Sequence, residues 1–387
     1  MIDLNNYEPR LNRYGGSEEK RTYFKDGKFY MVKIPDKVRE KNNSLSYMNN
    51  TFSEYICCHI FEMLGIKVQR TDLSKLNVNN KENIVCVCED FTDENHTLIE
   101  YCNSENENKQ EEISTNANEK SKELDINNII KSIYNNKHIK EKEIIIKQFW
   151  NVFIVDALIY NRDRHNENWG FLEDNRTGED TFAPVYDCGS ALFALYSEEK
   201  CNYIINHPQE FKNLALNAVS AMKENGKKIV YYNYINSLQN EECNNALKRI
   251  YKKINLSVID NFIDNIDVLP ATYKSFYKDL IETSYNLVLT PAYNKLLQQE
   301  ETASQENLSD EEMLDNYIDT SIISYKDMPE FLRHDLIAYL KTINNPKEKN
   351  DIDLYENEIY GSVNAAMVDD LITVTQAAYL RKRFLEI

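Results

Sequence analysis

Much that would decide a function outright is missing from this sequence. No apolar run approaches the roughly 18–20 residues of a membrane span, so no transmembrane helix is expected. The opening residues, MIDLNNYEPRLNRYGG, hold neither a basic stretch nor an apolar one, so no secretory signal is expected. Export that reads no N-terminal signal remains compatible with that. Basic residues are outnumbered, 45 Lys and Arg against 63 Asp and Glu, a net charge of -18. Neutralising phosphates takes clustered cations, so neither nucleic acid nor an anionic membrane is expected as a partner. No C-x-x-C occurs among the eight cysteines, whose closest neighbours are Cys57-Cys58 and Cys86-Val87-Cys88. That argues against a zinc site or a disulfide framework, and for a reduced, cytoplasmic protein whose thiols are small core residues. No internal repeat is visible.

What remains is a globular chain of 387 residues, 42% hydrophobic and 28% charged, with room for two or three domains. Residues 20–34, KRTYFKDGKFYMVKI, predict a β-hairpin turning at Asp26-Gly27. Residues 50–65, NTFSEYICCHIFEMLG, carry the helical period and place Gly65 at the helix end. NIVCVCEDF, 83–91, reads as a buried strand. From about 93 the chain turns polar, acidic and low in complexity, and the middle of that stretch reads as a solvated insertion. From 143 onward helical patterns dominate, beginning with EIIIKQFWNVFIVDALIYN. A second acidic patch, 298–315, marks a boundary, and the last helix is capped by Thr373 or Thr375. The expected division is 1–92 strand-rich, 93–142 acidic linker, 143–304 helical, and 305–387 a helical appendage.

The chemistry gathers in DALIYNRDRHNENWGFL, 156–172. Asp163 and Asn168 have the D-x-x-x-x-N spacing of a kinase catalytic loop, where the Asp takes the proton of the attacking hydroxyl and the Asn oxygen holds magnesium. APVYDCGSAL follows, with Asp187 before Cys188-Gly189, a D-x-G in which a carboxylate would bridge magnesium to phosphates. Upstream, Lys33 sits on a strand, Glu54 on the next helix in position to pair with it, and Gly15, Gly16 and Ser17 just before the hairpin, where backbone N–H groups would cover phosphates. Glu89, Asp90 and Phe91 would offer backbone groups to adenine. The cations for ATP would be Lys33, Arg13 or Arg164, and the metals.

Each residue has an ordinary reading beside the functional one. Lys33 and Glu54 taken singly are surface residues, Gly15-Gly16 is a simple turn, His165 a structural histidine and Asp187 a turn-former. Their order along the chain is what points to phosphoryl transfer. Three other readings compete: a nucleotide-binding pseudokinase whose appendage binds a partner, a kinase for a lipid or small molecule, and a metal-dependent hydrolase built on Asp163, His165 and Asp187.

YNRDRHNENWGFL followed by APVYDCGSAL resembles the HipA-like kinases, whose signature is N-x-D-R-H-x-x-N-x-G-F and then P-x-Y-D. FYMVKIP, LSYMNNTFSEYICCHIFEMLGIKVQ and VCEDFT are similar to the shorter, CtkA-type members. The likeness runs from about residue 12 to 300, apart from the acidic stretch. It implies an α+β, two-lobed protein-kinase-like fold, ATP and magnesium as cofactors, and phosphorylation of Ser or Thr on a protein substrate, often with autophosphorylation, for which Ser17 is a candidate. It further implies that Asp163 is the base, that Asn168 and Asp187 bind magnesium, that Lys33 contacts the ATP phosphates, and that His165 supports the loop. The full-length toxins of the family carry an extra N-terminal subdomain that is not seen here, which argues against an antitoxin-type partner. The resemblance assigns no role to the 305–387 segment.

Overall fold

The computed structural model describes residues 1–15, 19–35, 49–78, 80–104, 124–306, 308–344 and 352–386. The chain forms two compact units, Met1–Leu296 and Leu297–Ile387.

The first unit begins with β1 (Glu8–Arg10), β2 (Lys20–Lys25), β3 (Lys28–Lys33), α1 (Asn50–Met63), β4 (Thr71–Val78) and β5 (Lys81–Glu89). The five strands make one antiparallel sheet in the order β1-β2-β3-β5-β4. The β2–β3 turn is the expected two-residue one, with φ of 50° at Asp26 and 82° at Gly27, the pairing that matches strand twist. Val32, Val85 and Val87 pack with Leu4 and Tyr23 in one small core. Leu73 joins the main core with Ile56, Ile60 and Phe61 of α1. The helix ends at Gly65, where φ is +71°. Gly65 N–H donates to Glu62 C=O at 2.9 Å and Ile66 N–H to Phe61 C=O at 3.0 Å, so two otherwise unpaired carbonyls are satisfied.

Next come β6 (His96–Glu100), α2 (Tyr101–Ser104), α3 (Ile126–Asn135), α4 (Lys142–Leu158), β7 (Gly170–Asp174) and β8 (Glu179–Phe182). β6, β7 and β8 form a second antiparallel sheet. The flanks of the 93–142 stretch are therefore regular structure: β6 pairs with β7, and α3 buries Ile126, Ile129 and Ile133. The middle of that stretch, 105–123, lies outside the described residues. α4 buries residues on every side, Ile146, Phe149, Trp150, Phe153 and Ile154 among them, so it runs through the core rather than over it.

The unit continues with α5 (Glu198–Ile205), α6 (Pro208–Asn217), β9 (Val219–Glu224), β10 (Lys227–Val230), α7 (Tyr231–Ser237), α8 (Glu241–Tyr251), α9 (Leu256–Asp264) and α10 (Ala271–Ser284). A π-helical turn, Tyr285–Leu289, leads into α11 (Thr290–Glu306). The region expected to be helical thus contains two hairpins. β9 and β10 turn at Asn225 and Gly226, whose φ values of 51° and 78° no helix accepts.

The second unit holds α12 (Asp310–Tyr317), α13 (Glu330–Asn344), α14 (Ile352–Val368) and α15 (Val374–Leu385) around its own core of Leu314, Leu332, Leu336, Ile359, Val363 and Leu380. Of the two candidate caps for the last helix, Thr373 takes the place. Its hydroxyl accepts from Gln376 N–H at 3.2 Å, and Gln376 Oε1 accepts from Thr373 N–H at 2.9 Å, a reciprocal capping box.

Candidate active site

The site begins where α4 ends. Tyr160, with φ of +55°, breaks the helix and sends residues 161–169 into a loop. The loop is built around Asp156 in the last turn of α4. Its carboxylate accepts from Arg164 Nε at 3.1 Å and Nη2 at 3.0 Å, and from Asn161 Nδ2 at 2.8 Å. Arg164 Nη1 then donates to Asn168 C=O at 2.9 Å and Tyr186 C=O at 2.6 Å. Asp156 and Arg164 are each 1% exposed. Burial alone would pull the guanidinium down; Asp156 and Cys188 hold it charged. Arg164 is therefore not the phosphate cation the sequence allowed for: its donors face inward and tie the 161–169 loop to the segment before Asp187. The Arg13 guanidinium lies 4.1 Å from the centre of the Phe29 ring.

Asp163 is gripped from several sides. Its N–H donates to Asn161 Oδ1 at 3.1 Å, and its carbonyl accepts from Asn168 Nδ2 at 2.8 Å. Of the two ends of the Asn168 amide only the NH2 donates, so that bond fixes the side chain and leaves its oxygen for a cation. Asp163 Oδ2 accepts from the Ser190 hydroxyl at 2.9 Å. His165 organises the turn: its N–H donates to Asp163 C=O at 2.8 Å, and its Nδ1 accepts from Glu167 N–H at 3.2 Å. Its Nε2 stands 3.9 Å from Asp163 Oδ1, beyond a hydrogen bond.

Opposite this loop, Lys33 at the end of β3 reaches two carboxylates. Its Nζ lies 2.8 Å from Glu54 Oε2 and 2.7 Å from Asp187 Oδ1. Lys33 is 2% exposed and Glu54 fully buried. Asp187 is half-buried with φ of +54°, an uncommon conformation that turns its carboxylate toward Lys33. Burial pushes its pKa up, but the Lys33 ammonium outweighs that and brings it down to about 2. Lys20, which pairs across from Lys33 in the β2–β3 ladder, adds to the same pull and donates to Gly15 C=O at 2.8 Å. Gly189 sits close to the same carboxylate: a Cβ there would stand 3.2 Å from Glu54 Oε2.

Gly15 lies beside Lys20, while Gly16 and Ser17 fall outside the described residues. At the end of β5, Glu89 N–H donates to Arg70 C=O, Asp90 N–H donates to Phe29 C=O, and the Glu89 carbonyl accepts from Gln69 Nε2 at 3.0 Å. Tyr14 OH donates to Asp90 Oδ2 at 2.7 Å. The Phe91 ring lies 5.9 Å from that of Tyr186, next to Asp187. Sequence reasoning missed Lys20, Asp156, Asn161 and Ser190. Lys20 opens the hairpin stretch KRTYFKDGKFYMVKI and was visible there, and Asn161 is the first Asn of N-x-D-R-H; Asp156 and Ser190 declare themselves only through their partners.

The HipA-like C-terminal domain family matches residues 13–258. The serine/threonine-protein kinase CtkA of Helicobacter pylori strain J99 is 31% identical over 292 residues, which are 75% of this chain and 86% of that protein. The crystal structure of the H. pylori proinflammatory kinase CtkA superposes with a TM-score of 0.65 at 30% identity, covering 77% of this chain and 99% of the other. A Shewanella oneidensis HipA, solved in complex with HipB and operator DNA, aligns more loosely, with a TM-score of 0.47 and 16% identity over 74% of this chain and 67% of that one.

Proposed function

The chain belongs to the HipA-like C-terminal domain family, and on that premise we propose how its residues divide the work of phosphoryl transfer. It is a HipA-like protein kinase of the serine/threonine type, and its class uses a nucleotide and a metal. The proposal adds that the nucleotide is ATP, that the metal is magnesium, and that the residues described above hold the named roles.

The observation that carries the reading is Lys33 between Glu54 and Asp187. A buried ammonium held by a fully buried carboxylate is fixed in place to meet phosphate oxygens, and Lys20 stands beside it as a second cation. Asn168 Oδ1 and Asp187 Oδ2 are hard oxygen donors, few in number, as magnesium prefers, with no sulfur or imidazole among them. Bound there, magnesium would neutralise charge on the β- and γ-phosphate oxygens. Asp163, fixed in the loop, takes the proton of the acceptor hydroxyl as the phosphoryl group moves. His165 shapes the loop and takes no proton. The backbone near Asp90 and Phe91 meets adenine, and Gly15, whose carbonyl accepts from Lys20, lies on the phosphate side. The acceptor is a Ser or Thr of a protein, the chain itself included. The cytoplasm suits eight free cysteines, seven of them buried. Among the described residues no helix is long and apolar enough to cross a membrane.

Transfer of labelled γ-phosphate from ATP is the test, run for wild type, Asp163→Ala and Asp187→Ala, with magnesium or with EDTA. Label is expected on the wild-type protein or on a Ser/Thr substrate with magnesium only, and in neither variant. Label that survives Asp163→Ala would remove Asp163 from the role of base.

A further inference from the structure

The base needs more than a place in the loop; its carboxylate needs a fixed rotation. Loop bonds hold the Asp163 backbone, through Asn161 Oδ1 at the N–H and Asn168 Nδ2 at the carbonyl. Neither bond touches the carboxylate. The hydrogen bond that does comes from Ser190, 2.9 Å from Oδ2. With Oδ2 engaged, Oδ1 is the oxygen left to meet an acceptor hydroxyl.

Ser190 is itself held. It ends the Asp187-Cys188-Gly189-Ser190 segment, which α1 fixes from behind: the fully buried Ser53 hydroxyl lies 2.9 Å from the carbonyls of both Cys188 and Ala191. Glu54, the next residue on α1, holds Lys33, and Lys33 holds Asp187. One helix thus sets the carboxylate proposed for magnesium and the hydroxyl that orients the base.

We propose that Ser190 is a positioning residue for the kinase reaction: its hydroxyl locks the Asp163 carboxylate so that Oδ1 faces the acceptor, and it ties the base to the metal-binding segment. The proposal rests on the kinase reading given above. Ser190 transfers no proton and receives no phosphate. Its work is to keep the carboxylate in one rotamer, which shows in the rate of the bound complex and not in nucleotide affinity.

The test compares wild type with Ser190→Ala, Ser190→Cys and Ser190→Thr, measuring kcat and KM for ATP with a Ser/Thr substrate. Thermal shift with and without ATP and magnesium checks that each variant folds. Ser190→Ala is expected to lower kcat by roughly ten- to a hundredfold, the worth of one hydrogen bond to a charged group, with KM for ATP unchanged. Ser190→Cys matches the shape but donates poorly, so it should behave like Ser190→Ala. Ser190→Thr keeps the hydroxyl and should recover most of the rate. If kcat follows side-chain size instead, so that the Cys variant is active, Ser190 acts only by packing and the proposal is overturned. Phosphate mapped to Ser190 by mass spectrometry would overturn it too, because the hydroxyl would then be an acceptor. A wild-type protein that transfers no phosphate at all would sink the kinase reading and the proposal with it; wild-type transfer with an unaffected Ser190→Ala sinks the proposal alone.

Discussion

Two buried ion networks converge on the segment around Asp187, and they are built differently. In one, Arg164 and Asp156 are both 1% exposed, and every guanidinium nitrogen donates within the protein. In the other, Lys33 joins the fully buried Glu54 to Asp187, whose side chain is 37% exposed. The first network is closed and has nothing to offer a ligand. The second is closed at the Glu54 end and open at the Asp187 end, so it has a working face. A charged residue beside a catalytic motif is thus not a catalytic residue by proximity. What separates frame from working face is whether its hydrogen-bonding capacity is already filled.

Breaking the closed network should cost the most stability. Asp156→Ala leaves the Arg164 guanidinium buried without its carboxylate, a change worth about 3–5 kcal/mol. Urea denaturation should show a clear fall in midpoint that ATP and magnesium do not restore. Lys33→Met attacks the open network. It strands Glu54, but Asp187 keeps its contact with water, so the loss should be smaller, about 2–3 kcal/mol, while phosphate transfer is lost. Equal destabilisation by the two substitutions would erase the distinction between closed and open networks. Retained transfer in Lys33→Met would take Lys33 out of the site.

The sequence made parts of both networks visible, for a physical reason. The five-residue step from Asp163 to Asn168 is local, fixed by one loop, so spacing alone could announce it. The same holds for Asp26-Gly27, whose turn chemistry is read from two residues. Lys33 and Glu54 were recognisable from their order on a strand and the following helix. Arg164 was misjudged because charge says nothing of burial; its partner Asp156 looks in sequence like one more residue of an apolar helix. Ser190 has no local signal at all, since its partner lies 27 positions away in the chain. The β9–β10 hairpin did carry a signal, Asn225-Gly226, that was outweighed by helical periodicity on both sides. β6 and α3 were obscured by the acidic composition between them, although Ile126, Ile129 and Ile133 keep a helical spacing.

Two glycines sharpen the comparison at smaller effect. Gly170, in the N-x-G-F motif, lies under β6: an added Cβ would stand 2.2 Å from Ile99 O, 2.8 Å from Glu100 Cα and 2.9 Å from Tyr101 N. All three are backbone atoms, which cannot rotate away, so Gly170→Ala must force β6 off the loop at about 1–3 kcal/mol. The bonds from Tyr101 N–H to Trp169 C=O and from Cys102 N–H to Asn166 C=O would strain with it. Gly189→Ala meets a softer neighbour, Glu54 Oε2 at 3.2 Å, with the Asn50 carbonyl at 3.5 Å. A shift of a few tenths of an ångström relieves it, so the stability cost should stay below about 1 kcal/mol. That shift moves the carboxylate that holds Lys33, so phosphate transfer should fall further than stability does. Gly189→Ala should therefore invert the Asp156→Ala result, with near-normal unfolding and a lowered kcat. Parallel losses of stability and rate in Gly189→Ala would mean that the open network, too, serves the fold before it serves the reaction.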